Sequence, residues 1–366
     1  MTWEAGSHGS TFGGNPVSCA AALATLEVVE GSLTHIQRMG ERIVAHARRL
    51  QEKYAIIGDV RGRGLMLGIE FVKDRQTKEP YPEIIDRITE QLGPNAYMLS
   101  GSGGLDPSHD DAAGGRIGLL VGPDGILIVD SQYVQLTDKV LAAIRRISNA
   151  PIRYLVNTHI HRDHTAGNAF FAKQGAVIFA REELREGMVA LSKAPNASAN
   201  PVANPAGFPV ITYGMGAPVK IHMNDEIVHF IPIRAAHTGG DTNIKFEKAN
   251  LLFIGDFYRN YGYPFIDINN GGSLKGMLEG LDATMKSADA NTRLVPGHGT
   301  LIKRDDIIPY RDMIFAVQEK VQQMIAQGKT LQDVLAAKVT APYDGKVAGG
   351  TGASADRFVT AMYQEL

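Results

Sequence analysis

The stretch Val156–Asn168, "VNTHIHRDHTAGN", places His159, His161, Asp163 and His164 within six residues. It follows "IRYLV", an apolar run that reads as a strand. On an extended segment, residues i and i+2 point the same way, so His159 and His161 can converge on one ion. Asp163 and His164 continue into the turn and can face a second ion nearby. Zinc takes nitrogen from His and oxygen from Asp, usually four donors. Four donors from one loop cannot complete two sites, so the rest must come from elsewhere in the chain.

The chain has eleven histidines. His237 lies in "AAHTGGDT" after the run "HFIPI", and His298 lies in "LVPGHGT" after "RLVP". Both sit at a strand end beside Gly, where backbone can approach closely. Asp256 ends "LLFIGD" in the same way, and each of its carboxylate oxygens can bind one ion. A lone His-X-His is a weak signal, and a lone Gly-His-Gly is weaker still. The ordered set of four clustered donors and three single donors at strand ends is specific. His222 and His229 alternate within strand-like runs and read as surface or satisfied core residues. His8, His35, His46 and His109 receive no metal role.

The surroundings read as an α/β domain. "RIGLLVGPDGILIVDS" is a hairpin around Pro123-Asp124-Gly125. A helix follows with Thr137 as N-cap and Val140, Leu141, Ile144 and Ile147 on one face. "AVIFA", "VKIHM", "EIVHFIPI" and "LLFIG" read as strands, and "SLKGMLEGLDATMKSA" and "IIPYRDMIFAVQEKVQQMIAQ" as helices. Residues 193–218 contain five prolines, which exclude a regular helix. This segment reads equally as a lid or as a surface insertion. Residues 92–115, rich in Gly, Ser, Asp and Pro, read as a linker or an edge loop. Thr158, Thr238, Asp241 and Thr242 are near the donors and are candidates for orienting them. "DFYRNYGYPFID" offers Tyr258, Arg259, Asn260 and Tyr263 to a substrate, or to surface packing.

In this order, "THIHRDHTAGN", "AHTGGDT", "FIGD" and "PGHG" resemble the metallo-β-lactamase superfamily over residues 92–366. The resemblance implies an αββα sandwich with the site at one edge of its two sheets. It implies that His159, His161 and His237 bind one metal, that Asp163, His164 and His298 bind the other, and that Asp256 bridges them. Two Zn²⁺ are expected, with Fe or Mn as alternatives. A metal-bridging hydroxide would then attack a lactam, lactone, ester or thioester carbonyl. Asp163 would serve as ligand and proton shuttle. The β-lactamases proper carry Cys or Ser near the Asp256 position, so Asp256 looks more like the glyoxalase II, lactonase and sulfatase-like branches. β-Lactamase activity stays among the expectations.

The first quarter reads differently. Asn15-Pro16 opens a helix through "VSCAAALATLEVVE", a second helix runs from Leu33 to Gln51, and "IIGDVRGRGLMLGIEFV" reads as strands joined by a Gly-rich turn. Residues 5–90 resemble the class-III pyridoxal-phosphate aminotransferases of the 4-aminobutyrate type. By that resemblance Thr11 matches a residue that contacts the cofactor phosphate, and the Schiff-base lysine lies upstream of it. Ten residues precede Thr11 here and none is Lys. No PLP and no aminotransferase activity are therefore expected. Residues 1–91 are read as a truncated, small α+β aminotransferase-like domain and residues 92–366 as the hydrolase domain. The fragment's apolar helices need a surface to bury them, met by docking or by a homodimer through the N-terminal fragment. The alternative to an enzyme is an inactive or weakly active metal-binding fusion.

Bulk properties exclude other classes. The net charge is −2 with no long basic run, so no nucleic-acid partner is expected. Cys19 is the only cysteine, which excludes an intramolecular disulfide and a cysteine-based zinc site. No apolar run long enough to span a bilayer and no secretory signal are found, so the chain reads as cytoplasmic with a small-molecule substrate and no membrane partner.

Overall fold

Strand periodicity decides the layering, because alternate side chains of one strand feed opposite faces of its sheet. The computed structural model describes residues 15–80, 89–100, 114–216, 218–347, 350 and 352–366. The chain divides into two units, Met1–Arg87 and Ile88–Leu366.

The first unit comprises α1 (Pro16–Lys53), β1 (Ile57–Arg63), β2 (Met66–Asp74) and β3 (Glu79–Pro80). The Asn15 side chain accepts hydrogen bonds from the Val17 and Ser18 amides, and Pro16 takes the first helical position. The two predicted helices are one. Gly31 costs a helix interior only about 1 kcal/mol against Ala, too little to break this one. β1 and β2 form the expected antiparallel pair. Ala47, Ile57 and Val60 make a small core, while Leu23, Leu26, Val28 and Leu33 are exposed. By length and composition α1 is long and apolar enough to cross a membrane, although Glu27 and Glu30 leave no uninterrupted apolar run of that length in it. Thr11 lies outside the described residues.

The second unit contains two sheets. The first is built from β4 (Thr89–Gln91), β5 (Ala96–Leu99), β6 (Ile117–Gly122), β7 (Gly125–Val129), β8 (Ile152–Val156), β9 (Val177–Arg181) and β10 (Ile211–Tyr213). Its order is β10-β9-β8-β7-β6-β5-β4, parallel from β7 through β10 and antiparallel from β4 through β7. The second is built from β11 (Val219–Met223), β12 (Glu226–Pro232), β13 (Thr242–Phe246), β14 (Leu251–Gly255), β15 (Arg293–Pro296) and β16 (Ile302–Lys303), joined in sequence order. Helices α2 (Thr137–Ile147), α3 (Arg162–Thr165), α4 (Asn168–Lys173), α5 (Glu182–Ser192), α6 (Leu274–Ser287), α7 (Ile307–Ala326), α8 (Leu331–Ala336), α9 (Ala341–Asp344) and α10 (Gly352–Glu365) complete the unit.

Three apolar clusters define the layers. Leu120, Val129 and Phe179 of the first sheet meet Val228, Phe230, Ile244 and Phe253 of the second. Leu119, Ile128 and Leu155 face outward onto Val140 and Ile144 of α2 and Phe171 of α4. Leu252, Ile254 and Leu294 face Met277 and Leu281 of α6, Ile314 and Val317 of α7, and Phe358 of α10. The result is the αββα sandwich. Each fully buried Leu, Ile or Phe contributes about 1.5–3 kcal/mol, so the inter-sheet layer holds the two strand-end loop sets in fixed register.

Two loop expectations change. Within residues 92–115, Ala96–Leu99 pairs with β6, and its side chains enter the clusters on both sheet faces. The segment is therefore partly a buried strand. Thr89–Gln91 pairs with β5, which moves the division between the units before residue 91. The Pro-rich segment forms three short 3₁₀ turns, and Asn200 and Asn204 cap the two that open on Pro201 and Pro205. Its Val202 packs with Ile160, Leu184 and Met188, so the segment buttresses the His-rich loop.

Candidate metal centre

All seven donors reach one edge of the sandwich because each follows a strand. β8 runs into His159, and His161 precedes α3, whose first turn carries Asp163 and His164. β12 leads to His237, β14 to Asp256 and β15 to His298. The donors form two groups. His159, His161 and His237 make one, and Asp163, His164, Asp256 and His298 make the other. Within each group the donor atoms lie within 4.8 Å of one another.

Asp256 stands between them. Its Oδ2 is 4.0 Å from His159 Nε2 and 3.9 Å from His237 Nε2, and 3.4 Å from His298 Nε2. Its Oδ1 is 3.5 Å from His164 Nε2. Gly255 has φ +54°, a conformation that glycine adopts freely and that turns the chain so the next carboxylate points inward. Gly297 permits the close approach opposite: a Cβ there would run into Asp256 Oδ1 and the His164 ring.

The outward nitrogens of the imidazoles fix the tautomers. His164 Nδ1 donates to Asp130 Oδ2 at 2.7 Å, His161 Nε2 to Asp267 Oδ2 at 2.7 Å, and His237 Nδ1 to the Phe265 carbonyl at 2.6 Å. Thr158 Oγ1 donates to Asp130 Oδ2 and so accepts from His159 Nδ1 at 3.0 Å. The inward nitrogens of His159, His161 and His237 are thus lone pairs. His161 Nδ1 and His237 Nε2 face each other at 3.0 Å, and His159 Nε2, His164 Nε2 and Asp256 Oδ1 are buried without a hydrogen-bond partner. Buried acceptors aimed at one another are costly unless a cation sits among them. On this ground the residues fit two metal ions.

The electrostatics agree. Burial holds His159 well below the ordinary imidazole value, and the neighbouring imidazoles add to it. Burial likewise takes His237 down to about 3. Both are neutral, as metal donors must be. Burial opposes charge on His164, yet Asp163, Asp130 and Asp256 overcome it and hold its pKa well above the usual value. Burial would raise Asp163 and Asp256, but the surrounding imidazoles keep both below the usual carboxylate range. The acidic half of the centre attracts positive charge.

Of the candidate orienting residues, Thr158 bridges His159 and Asp130. Asp241 accepts from the His237 amide at 2.6 Å and from Thr238 Oγ1 at 2.6 Å, and burial raises it to about 6 against those donors. Thr242 donates its amide to the Thr158 carbonyl at 2.8 Å. The substrate-loop candidates part company. Tyr258 and Tyr263 are buried in the core beneath α7 and α10 and do not offer a surface. Arg259 is buried, and Asn260 accepts from the Thr300 amide at 3.1 Å, bracing the His298 loop. His229 pairs with Glu247 at 2.5 Å, and His222 is exposed. His8 and His109 lie outside the described residues.

The sequence reading missed Asp130, Asp267, the Phe265 carbonyl and Arg116. Arg116 donates to the Pro296 carbonyl at 3.1 Å and to the Gly299 carbonyl, fixing the loop on both sides of His298. Asp130 was within reach, because it ends the strand run "ILIVD" as Asp256 ends "LLFIGD".

Comparison with known proteins agrees with this geometry. A family model described as "Metallo-beta-lactamase superfamily" matches residues 111–298, and one described as "Aminotransferase class-III" matches residues 1–93. A taurine–pyruvate aminotransferase of Rhodobacter capsulatus is 35% identical over 142 residues, covering 38% of this chain and 29% of that protein. An ethanolamine-phosphate phospho-lyase homolog of Caenorhabditis elegans is 52% identical over 73 residues, covering 19% of this chain and 16% of that protein. The chain therefore spans less than a third of these curated relatives. Among solved structures, the sec-alkylsulfatase Pisa1 from Pseudomonas sp. aligns with a TM-score of 0.58 and 16% identity, over 75% of this chain and 49% of that one. A metallo-beta-lactamase from Pontibacter korlensis aligns with a TM-score of 0.51 and 14% identity, over 61% of this chain and 98% of that one. These structural likenesses speak for the fold.

Proposed function

The chain belongs to the metallo-beta-lactamase superfamily, and from that premise we propose that it is a dinuclear zinc hydrolase acting on a carbonyl centre, in a lactone, thioester, ester or lactam. The observation that carries the reading is the set of inward lone pairs in two groups around Asp256. His159, His161 and His237 would hold one ion, Asp163, His164 and His298 the other, and Asp256 would touch both. Such ions, when bound, polarise a carbonyl oxygen and acidify water near neutral pH.

The chain's own residues supply orientation and proton handling. Asp163 Oδ2 lies 2.8 Å from His298 Nε2 and 3.5 Å from His164 Nε2, so this carboxylate stays ionised at neutral pH. It accepts a hydrogen bond from the attacking water and holds the proton only in passing, because its affinity for one is low. Asp130, Asp267 and the Phe265 carbonyl keep the His164, His161 and His237 rings from turning. Asp256, in place of a sulfur or hydroxyl donor, makes both groups share an anion and ranks lactones and thioesters ahead of β-lactams.

The test is metal analysis of the purified chain together with a panel of ester, lactone, thioester, β-lactam and sulfate-ester substrates. About two zinc ions per chain and turnover of a carbonyl substrate are expected. Two bound ions with no turnover of any class would leave a metal-binding fusion and overturn the enzyme reading.

A further inference from the structure

Beside the metal centre lie two guanidinium groups that the hydrolytic role does not use. Arg259 follows the shared Asp256 by three residues and is only 9% exposed. Its Nη2 donates to Tyr261 Oη at 2.7 Å, and the guanidinium lies 4.7 Å from the Tyr261 ring centroid. Its Nε is buried with no partner, and no carboxylate among the described residues lies within ion-pair range of it. The Tyr261 ring in turn is 6.2 Å from the His298 ring.

Arg357 reaches the other half of the centre from α10. Its guanidinium sits 4.2 Å over the Phe265 ring. Phe265 stacks on His161 at 5.6 Å and accepts from His237 Nδ1. Arg357 is exposed and makes no hydrogen bond or ion pair among the described residues. Asp267, the carboxylate whose charge it feels, already holds His161 and Asn270. Arg357 and Arg259 also feel each other's charge, which is repulsive.

Burial opposes charge on Arg259, and Tyr261 and Asp256 offset that cost without a carboxylate in ion-pair range, so the guanidinium stays charged with no acid paired to it. An anion beside the two groups would pair with both, and the Arg fork matches the paired oxygens of carboxylate or sulfate. Both groups border the donors that would bind the reacting bond. We propose that Arg259 and Arg357 form an anion clamp beside the centre, and that the substrate carries a carboxylate or sulfate oxyanion. This rests on the hydrolase reading, whose substrate class it narrows.

The test uses the zinc-loaded full chain and a matched thioester pair, glutaryl and its neutral carboxamide counterpart, with a thioester whose acyl chain ends in a sulfate as the third arm. The wild type is expected to favour an anionic arm in KM, and whichever anionic arm it takes identifies carboxylate or sulfate. Arg357→Gln, at an exposed position, is expected to lower the anionic-to-neutral kcat/KM ratio about 10- to 100-fold, with Arg357→Lys recovering part of it. Calorimetric titration with glutarate against neutral glutaramide reads the clamp without turnover. Glutarate binding that weakens in Arg357→Gln, with no hydrolysis of any substrate, sustains the clamp and fails the hydrolase reading. No charge preference in turnover, or glutarate binding unchanged in Arg357→Gln, overturns the clamp.

Discussion

Replacing Asp130 by Asn removes no atom of a metal donor, yet it should damage the acidic half of the centre. Asp130 is 1% exposed and accepts three hydrogen bonds. Oδ1 takes the Thr158 amide at 2.7 Å, and Oδ2 takes Thr158 Oγ1 and His164 Nδ1, each at 2.7 Å. An isosteric amide meets three donors with one acceptor atom and one NH₂. If the amide nitrogen faces the Thr158 amide, two donors collide. If it faces His164, the imidazole must give up its Nδ1 proton and carry it on Nε2, the atom that points at Asp163 and Asp256. That proton occupies the lone pair meant for the ion. Loss of a partner of this kind costs about 10- to 100-fold in metal affinity, or about 1.4–2.7 kcal/mol. Competition against a chromogenic chelator measures the affinity of each site, and ¹⁵N chemical shifts of the imidazoles report the tautomer. The effect should concentrate on one ion, because Asp130 reaches His159 only through the Thr158 hydroxyl. Wild-type affinity at both sites, with His164 Nε2 still unprotonated, would refute the reasoning.

His161→Ala should lower both zinc content and turnover, and unchanged metal content in that variant would sink the ligand assignment. Gly297→Ala should drive Asp256 out of position, because its Cβ would meet Asp256 Oδ1 and the His164 ring. We expect a loss of about 1–3 kcal/mol of stability, read as a lower denaturation midpoint, and reduced zinc content; unchanged values for both would contradict the packing. Burial raises Tyr258 to about 12 and raises Tyr213 and Tyr310 further. Their folded values exceed the unfolded value, so the stability they contribute is intact below about pH 10 and lost as pH rises through 12. Denaturation midpoints followed from pH 9 to 12 should fall as tyrosinate absorbance rises, and tyrosines that ionise near pH 10 without loss of structure would contradict the burial. Deleting residues 1–90 should leave zinc binding in place and change assembly or expose apolar surface; complete loss of metal on deletion would contradict the two-unit organisation.

What could be read from the sequence follows from how each role is encoded. A metal donor must be His or Asp at a strand end with room beside it, and the donor set is local enough to show: His159 through His164 in one loop, then His237, Asp256 and His298 each beside Gly. The residues that orient those donors need only be a hydrogen-bond acceptor in the right place, and many residues qualify. Asp267 stands 106 positions from His161, and Phe265 acts through its carbonyl, which no side-chain pattern can reveal. Tyr258 and Tyr263 illustrate the converse error. Polar-tipped residues after a catalytic strand look available to a substrate, but the α7 and α10 layer covers them, and Tyr263 spends its hydroxyl on the Thr340 carbonyl at 3.1 Å. The same covering helix brings Arg357 back to the centre over Phe265. Its role depends on the packing of Phe358, Val359 and Met362 against α7 and the second sheet, a tertiary fact without a sequence signature. The metal-binding half of the site is therefore written in local spacing, whereas the half that would select a substrate is written in how the last helix docks. A homologue could keep all seven donors and change its substrate charge through residue 357 alone.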